Sequence, residues 1–378
     1  MADFTKPRSG SRLRVAILFG GRSAEHEISL LSARFVLESL DPERFEPVLV
    51  GIDKSGRWLL QDGARLLAQA RDPRAVALDG STLPVLLPAH PTGALVTTGA
   101  EPGALPIDVA FPVLHGPLGE DGTVQGLLEL AGVPYVGSGV LGSAVGMDKD
   151  VMKRLLVAAG FPVLPYRALK RARWDREPDA VLAELAALGL PLFVKPANLG
   201  SSVGISRVKE HAALAAAVRA AFEFDDKLVI EAGLDHPREI ELAVLGGDPP
   251  FASIPGEIVV DHADGFYSYA AKYLDDHGTV AKIPAELAPA EADEARRLAL
   301  ATFEALEAEG LGRVDLFFDR ERRFWVNEIN TLPGFTSISM FPKLMAASGV
   351  DARTLVTKLV DDAVARSARR RARKTTLG

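Results

Sequence analysis

The chain has 378 residues, a formal net charge of −7 and no cysteine. Disulfides, thiolate metal sites and a cysteine nucleophile are excluded, and the acidic balance argues against a general nucleic-acid surface. A hydrophobic share of 48% with 25% charged residues is ordinary for a globular protein, and at roughly 100–200 residues per domain the length suggests two or three domains. The polar start, Met1 to Arg14, lacks the apolar core of a signal peptide. No apolar run reaches the roughly 18 residues of a membrane span, so a cytoplasmic protein is expected.

Arg14–Phe19 reads as an apolar strand that ends in Gly20-Gly21, and a helical pattern follows from about Glu27 to Leu40. Further strands are predicted at Pro47–Ile52 and Ile107–Leu114, then a helix near Val124–Ala131 and a strand Pro134–Gly137. Strands alternating with helices predict an open parallel sheet, with ligands at the C-terminal strand ends. Those ends carry Gly20-Gly21 and His115-Gly116. Lys54 to Gly103 is rich in Ala, Pro and Gly with little period, and reads as a variable excursion.

A second unit begins near Gly137, with a helix over Asp148–Ala159 and Gly160 as its C-cap. Strands follow at Leu192–Pro196, Gly204–Val208 and Lys227–Ala232, with a helix at about Ala212–Phe222. This mixture predicts an α+β unit with antiparallel hairpins. A third unit starts near Arg238 and holds strands, a tyrosine-rich loop, a helix from about Pro289 to Glu309, a hairpin and terminal helices. The basic cluster Arg366 to Lys374 reads as a frayed, solvated tail.

The hairpin is the most informative stretch. If it is symmetric about its charged turn, Asp315 lies opposite Glu328 and Arg313 opposite Asn330. Residues two apart share a face, so all four converge at one end of it. Facing carboxylates are destabilising unless a cation lies between them. An all-oxygen set of Asp, Glu and Asn suits Mg²⁺, which shares its shell with phosphates. A solvated face with chance charges is the alternative.

Lys195 precedes a loop in which Gly200, Ser201, Ser202 and Gly204 leave backbone N–H groups open to an anion. A strand follows it, so it is a flap rather than a P-loop; alone, it could equally be an ordinary hairpin. Lys149 stands in the first turn of a helix, against the helix dipole. That placement suits a bound anion, and also a plain surface lysine.

Several stretches together carry a resemblance. They are Gly20–Ser29 (GGRSAEHEIS), His115–Gly122 (HGPLGEDG), Met147–Lys149 (MDK), Phe266–Tyr273 (FYSYAAKY) and Asn327–Ser337 (NEINTLPGFTS). In this order they resemble the D-alanine–D-alanine ligases of the ATP-grasp superfamily, over about Arg14 to Val360. The resemblance implies α/β and α+β architecture in three domains. These are a Rossmann-like N-terminal domain over residues 1–137, a central ATP-grasp domain over 138–235 and a C-terminal ATP-grasp domain over 236–378.

The implied activity is ATP-dependent joining of two D-alanine molecules through an acyl phosphate, for peptidoglycan precursors. Implied partners are ATP, D-alanine at two sites and a second copy of the chain. Two Mg²⁺ or Mn²⁺ ions are implied, with a monovalent cation as a further candidate. By resemblance, Lys149, Lys195 and Ser202 hold ATP phosphates and Lys272 reaches the γ-phosphate. Glu231 meets adenine and Glu239 the ribose. Asp315, Glu328 and Asn330 bind metal.

Glu25 pairs with the ammonium of the first D-alanine and His115 lies near its carboxylate. Ser201 and Tyr273 link Glu25 to a lid, Gly265–Tyr273. Arg313 and the Gly334 N–H form an oxyanion site, and Ser339 with the Met340 backbone grips the second D-alanine. Tyr273 and an apolar Met340 favour D-alanine over D-lactate or D-serine as second substrate. Ser268 and Ala270 depart from the acidic residues common in the lid, and Ala232 from a lysine found beside the adenine. Singly, Glu25 is also a helix-dipole partner, His115 a hydrogen-bonded loop histidine and Ser339 a helix N-cap. Two rivals are another ATP-grasp enzyme and a non-catalytic nucleotide binder.

Overall fold

A computed structural model describes residues 12–68, 76–80, 82–98, 102–260 and 279–374. The first sheet grows from β1 (Leu13–Gly20), whose Val15 to Phe19 are no more than 1% exposed. Such a run, apolar on both faces, belongs in a sheet covered on both sides. β1 pairs in parallel with β2 (Phe45–Ile52) and β7 (Val109–Pro112). α1 (His26–Ser39) and α3 (Thr123–Leu130) supply buried residues on its flanks. The strand predicted at Pro134–Gly137 reduces to a single bridge, Ala110 to Tyr135.

The stretch that reads as an excursion is part of this sheet. It contributes β3 (Trp58–Leu60), β4 (Pro84–Leu86) and β5 (Ala94–Thr97), β6 (Ala104–Pro106) follows directly after it, and all four are added antiparallel in the order β6-β5-β4-β3-β2-β1-β7. α2 (Gly63–Ala68) lies between the first two of these. Strands of three or four residues are too short for a two-residue period to stand out.

α4 (Val140–Met147) and α5 (Lys149–Ala158) lead to the second sheet. Its strands are β8 (Tyr166–Lys170), β9 (Leu192–Pro196), β10 (Ser206–Val208) and β11 (Lys227–Ala232), antiparallel in the order β10-β9-β11-β8. α6 (Arg171–Arg176), α7 (Pro178–Ala186) and α8 (Leu214–Ala221) cover one face through Trp174, Val181 and Val218.

The third sheet comprises β12 (Arg238–Leu245), β13 (Phe251–Ala252), β14 (Gly256–Val260), β15 (Thr279–Lys282), β16 (Leu311–Phe318) and β17 (Phe324–Asn330). The helix Pro289–Ala305 packs on it through Leu298, Ala299 and Phe303. α4 fits closely against β17: a Cβ on Gly146 would lie 2.8 Å from Thr331 Cγ2. Phe335 packs between the first sheet and the helix Met340–Ala347, lying 5.8 Å from Phe111 and 5.7 Å from Phe341, ring to ring.

The basic cluster is not a frayed tail over its described length. The helix Ala352–Arg371 carries most of it, and Arg366 is buried at 8% exposure. Its guanidinium donates to the Gly137 carbonyl (3.0 Å) and to Glu309 (3.1 Å). Arg370 donates to Glu129 (2.6 Å) and to Glu309. Acceptors supplied by distant parts of the chain bury what the local sequence would leave in water.

Candidate active site

The second and third sheets meet around a cavity of about 510 Å³. The hairpin provides its polar end. Arg313 pairs with Asn330 and Asp315 with Glu328, the register expected from the sequence, and a bulge follows between Asp315 and Leu316. Glu241 on β12 stands opposite Asp315, so three carboxylates run across neighbouring strands. Arg313 donates to both Asp315 oxygens at 2.7 Å and lies 3.2 Å from Glu241. Asn330 donates to Asp315 at 3.0 Å. Lys149 Nζ lies 3.5 Å from Glu328. Every acid of the row therefore has a basic partner in reach.

The donor set fits a divalent cation of the magnesium type. Asp315, Glu328 and Asn330 offer hard oxygens at one end of one face. Among the described residues no group of three His, Cys, Asp or Glu side chains could hold a metal alone. A Mg²⁺ ion held there would complete its shell with phosphate oxygens and water.

The glycine-serine loop forms the cavity roof. Lys195 ends β9, and the loop turns through Ser201 (φ +49°) and Ser202 (φ +59°), a left-handed backbone that side chains disfavour. Strain of this kind collects at ligand-binding loops. Lys149 Nζ donates to the Leu199 carbonyl at 2.7 Å, joining α5 to the loop. Asp148 caps α5 by accepting from the Asp150 and Val151 N–H groups, each at 3.1 Å. The Glu231 carboxylate lies on the cavity wall and accepts from Lys195 at 3.0 Å, while Lys153 forms an ion pair with it at 3.2 Å. Glu239 also lines the cavity.

The first sheet brings Glu25 and His115. Ser201 Oγ donates to Glu25 Oε1, so loop and first sheet touch across 176 positions of sequence. His115 is buried between the Leu332 carbonyl (3.2 Å), Ser32 Oγ (3.1 Å) and Glu120 (3.4 Å). Burial alone would lower its pKa, but the hydrogen bond to Glu120 and the charges of Glu25 and Glu120 leave it raised. Gly334 and Ser339 adjoin, since a Cβ on Gly334 would lie 2.9 Å from Ser339 Oγ. Ser339 is the N-cap of the helix Met340–Ala347, but its hydroxyl makes no capping bond and instead accepts from the Thr336 N–H at 3.1 Å. The Met340 side chain is buried in the core, which leaves its backbone as what it can offer a ligand.

Residues 14–138 match the family model for the D-ala D-ala ligase N-terminus, and residues 155–361 that for the D-ala D-ala ligase C-terminus. The chain belongs to the D-alanine–D-alanine ligase family. It is 48% identical to D-alanine--D-alanine ligase A of Chromobacterium violaceum, over 93% of this chain and 94% of that protein. To the Escherichia coli protein of the same name it is 47% identical, over 97% and 100%. Among solved structures it is similar to the D-alanine-D-alanine ligase from Coxiella burnetii (TM-score 0.81, 35% identity, 95% and 96% covered). It is also similar to the VanG D-Ala:D-Ser ligase from Enterococcus faecalis (TM-score 0.82, 33% identity, 93% and 100% covered).

Of the residues that the ligase resemblance singles out, the structure gathers Lys149, Lys195, Ser201, Ser202, Glu231, Glu239, Asp315 and Glu328 around one cavity. Asn330 and Arg313 touch that set through Asp315. Glu25 touches it through Ser201, whereas His115, Gly334, Ser339 and Met340 lie on neighbouring turns. The lid Gly265–Tyr273, with Lys272 and Tyr273, lies outside the described residues. Sequence reasoning passes over Glu120, Glu241 and Lys153. Glu120 sits inside the His115–Gly122 motif, and Lys153 lies one helical turn beyond Lys149 on the same face. Both positions carry a readable signal.

Proposed function

We infer that the chain is an ATP-dependent ligase that joins two D-alanine molecules into D-alanyl-D-alanine, releasing ADP and phosphate, for peptidoglycan precursor synthesis. The observation that carries this reading is one cavity bounded by two lysines, a carboxylate-and-amide hairpin end and a loop touching Glu25. A carboxylate is a poor electrophile. Transfer of the γ-phosphoryl group to the first D-alanine's carboxylate, with ADP leaving, makes it an acyl phosphate. The amine of the second D-alanine then attacks the acyl carbon, a proton is lost and phosphate departs.

The roles are those the resemblance implies, and for the described residues their positions support them. Lys149, Lys195 and Ser202 hold phosphates beneath the loop. Glu231 meets the adenine and Glu239 the ribose. Glu25, held by Ser201, binds the first D-alanine's ammonium, and His115, whose pKa is raised by Glu120 and Glu25, lies near its carboxylate. Arg313 and the Gly334 N–H stabilise the oxyanion, where one preorganised donor is worth roughly 100-fold in rate. Ser339 and the Met340 N–H take the second carboxylate. Asp315, Glu328 and Asn330 hold two divalent ions, which when bound neutralise charge on the transferring phosphoryl group. Lys272 and Tyr273 act from the lid, which keeps water from the acyl phosphate.

The chain is read as dividing into domains at 137/138 and 235/236. The break between the two family models, after residue 138, supports the first boundary. Among the described residues no helix is long and apolar enough to cross a membrane; we place the enzyme in the cytoplasm as a homodimer. A monovalent cation is a further candidate ligand.

D-Alanine is proposed at both sites. The likeness to a D-Ala:D-Ser ligase shows that the fold alone does not choose the second substrate. Phosphate release with ATP, Mg²⁺ and D-alanine, alone or with D-serine or D-lactate, tests the reading, with products identified by mass spectrometry. Release that requires D-alanine and gives the D,D-dipeptide as the main product is the expected result. A mixed product dominating at neutral pH, or no release from a folded protein that binds ATP, would overturn it.

A further inference from the structure

Glu231 and Lys153 are each 1% exposed, deeper than any other charged pair at the cavity. Lys195 and Lys153 both approach one oxygen of Glu231, Oε2, at 3.0 Å and 3.2 Å. The other oxygen, Oε1, has no hydrogen-bond partner among the described residues although it is buried. A buried acceptor without a donor is costly, and such a group in a cavity wall asks for one from a ligand. The two lysines differ in what else they can do. Lys195 lines the cavity and also reaches Asn327 at 3.5 Å, so it can turn to another anion. Lys153 is not among the cavity-lining residues, and its ammonium lies 5.8 Å from the centre of the Tyr166 ring. It has no second carboxylate to leave for among the ion pairs described.

We propose that Lys153 is a positioning residue for nucleobase choice: it stays on Glu231 when Lys195 turns to the ATP phosphates, and so keeps the carboxylate an acceptor aimed at the base. This rests on the reading that Glu231 meets the adenine. An ionised carboxylate accepts and cannot donate. It therefore selects a base with an exocyclic amino group, as in adenine, over one with a carbonyl there, as in hypoxanthine. Burial opposes the ionised forms of both groups, and their mutual attraction with Lys195 overcomes this for Glu231, whose pKa is lowered. Apolar walls from Leu164, Phe193, Ile205 and Phe317 line the same cavity and suit a planar base.

The test compares ATP with ITP as phosphoryl donor, and ADP with IDP in calorimetric binding, for the wild type and Lys153→Met, Lys153→Arg and Glu231→Gln. Lys153→Met should shrink the ATP-over-ITP preference in kcat/KM by roughly tenfold, the worth of one hydrogen bond to a charged group. The loss should lie in KM for ATP, with KM for D-alanine unmoved, and Lys153→Arg should restore most of the preference. A Lys153→Met enzyme with the wild-type preference would overturn the proposal. If Glu231→Gln loses the preference while Lys153→Met keeps it, only the role of Lys153 fails. If neither loses it, the adenine reading of Glu231 fails as well. Should Lys153→Met not fold, Lys153→Gln supports the same comparison, because it keeps a polar head beside Glu231.

Discussion

Two networks of charge border the third sheet, one at the hairpin end and one at the C-terminal helix. In the first, Arg313, Asp315, Glu328 and Lys149 pair with one another around a cavity. In the second, Arg366 and Arg370 grip Glu309, Glu129 and the Gly137 carbonyl, and none of these lines the cavity. The first holds its charges mostly away from bulk water, while in the second only Arg366 is buried and Arg370, Glu309 and Glu129 stay partly exposed, and the two serve different ends. Pairs that border open space can exchange partners when a phosphate or cation arrives. Pairs that end on backbone carbonyls have nothing to exchange with, so they hold one part of the chain against another. Buried charge is thus a sign of chemistry only where a cavity adjoins it.

Variants can break that contrast. Glu328→Gln should lower turnover by roughly 100-fold or more, the scale of several kcal/mol of lost phosphoryl-charge stabilisation, with little change in melting temperature. Steady-state rates beside a thermal melt would check it, and near-normal turnover would remove Glu328 from the metal set. Arg366→Ala should do the reverse. It leaves the buried Gly137 carbonyl without its donor while Arg370 still holds Glu309, so it should cost about 2 kcal/mol of stability while the folded fraction keeps most of its turnover. A denaturant titration measures the loss, and an unchanged midpoint would show that the guanidinium contributes little.

Glu120→Gln sharpens the comparison on the first sheet, where the effect is smaller. Glu120 is the leading group that holds the His115 pKa up against burial. A folded-state histidine pKa above the unfolded value stabilises the protein below the unfolded value, near 6.5, and that gain is lost as pH rises through the folded value. The variant should lower the His115 pKa, visible in the NMR titration of its ring, and shrink the extra stability at mildly acidic pH. An unmoved titration would assign the shift to Glu25 instead.

Much of the site is legible in the sequence. The hairpin register follows from a two-residue period and a symmetric turn, and Asp315 does face Glu328. The bulge after Asp315 is not legible, because nothing in an alternating pattern marks where an extra residue enters. The flap's glycines and serines announce a loop able to approach an anion, and the left-handed Ser201 and Ser202 belong to it. The strands β3 to β6 leave no clear sequence signal because they are three or four residues long and take their order from the neighbour they pair with. Arg366 reads as solvated because a run of basic residues usually is. Its acceptors come from Gly137 and Glu309, 229 and 57 positions away.

The sequence by itself determined the kinds of element, the family and the inventory of reacting groups, because these depend on local period, loop composition and motifs in order. Only the tertiary structure decided which charges meet: Ser201 with Glu25, Lys153 and Lys195 with one oxygen of Glu231, Arg366 with the Gly137 carbonyl. The physical reason is desolvation. A charge's partner and its consequence are set by what packing removes from water, and that depends on segments far apart in the chain.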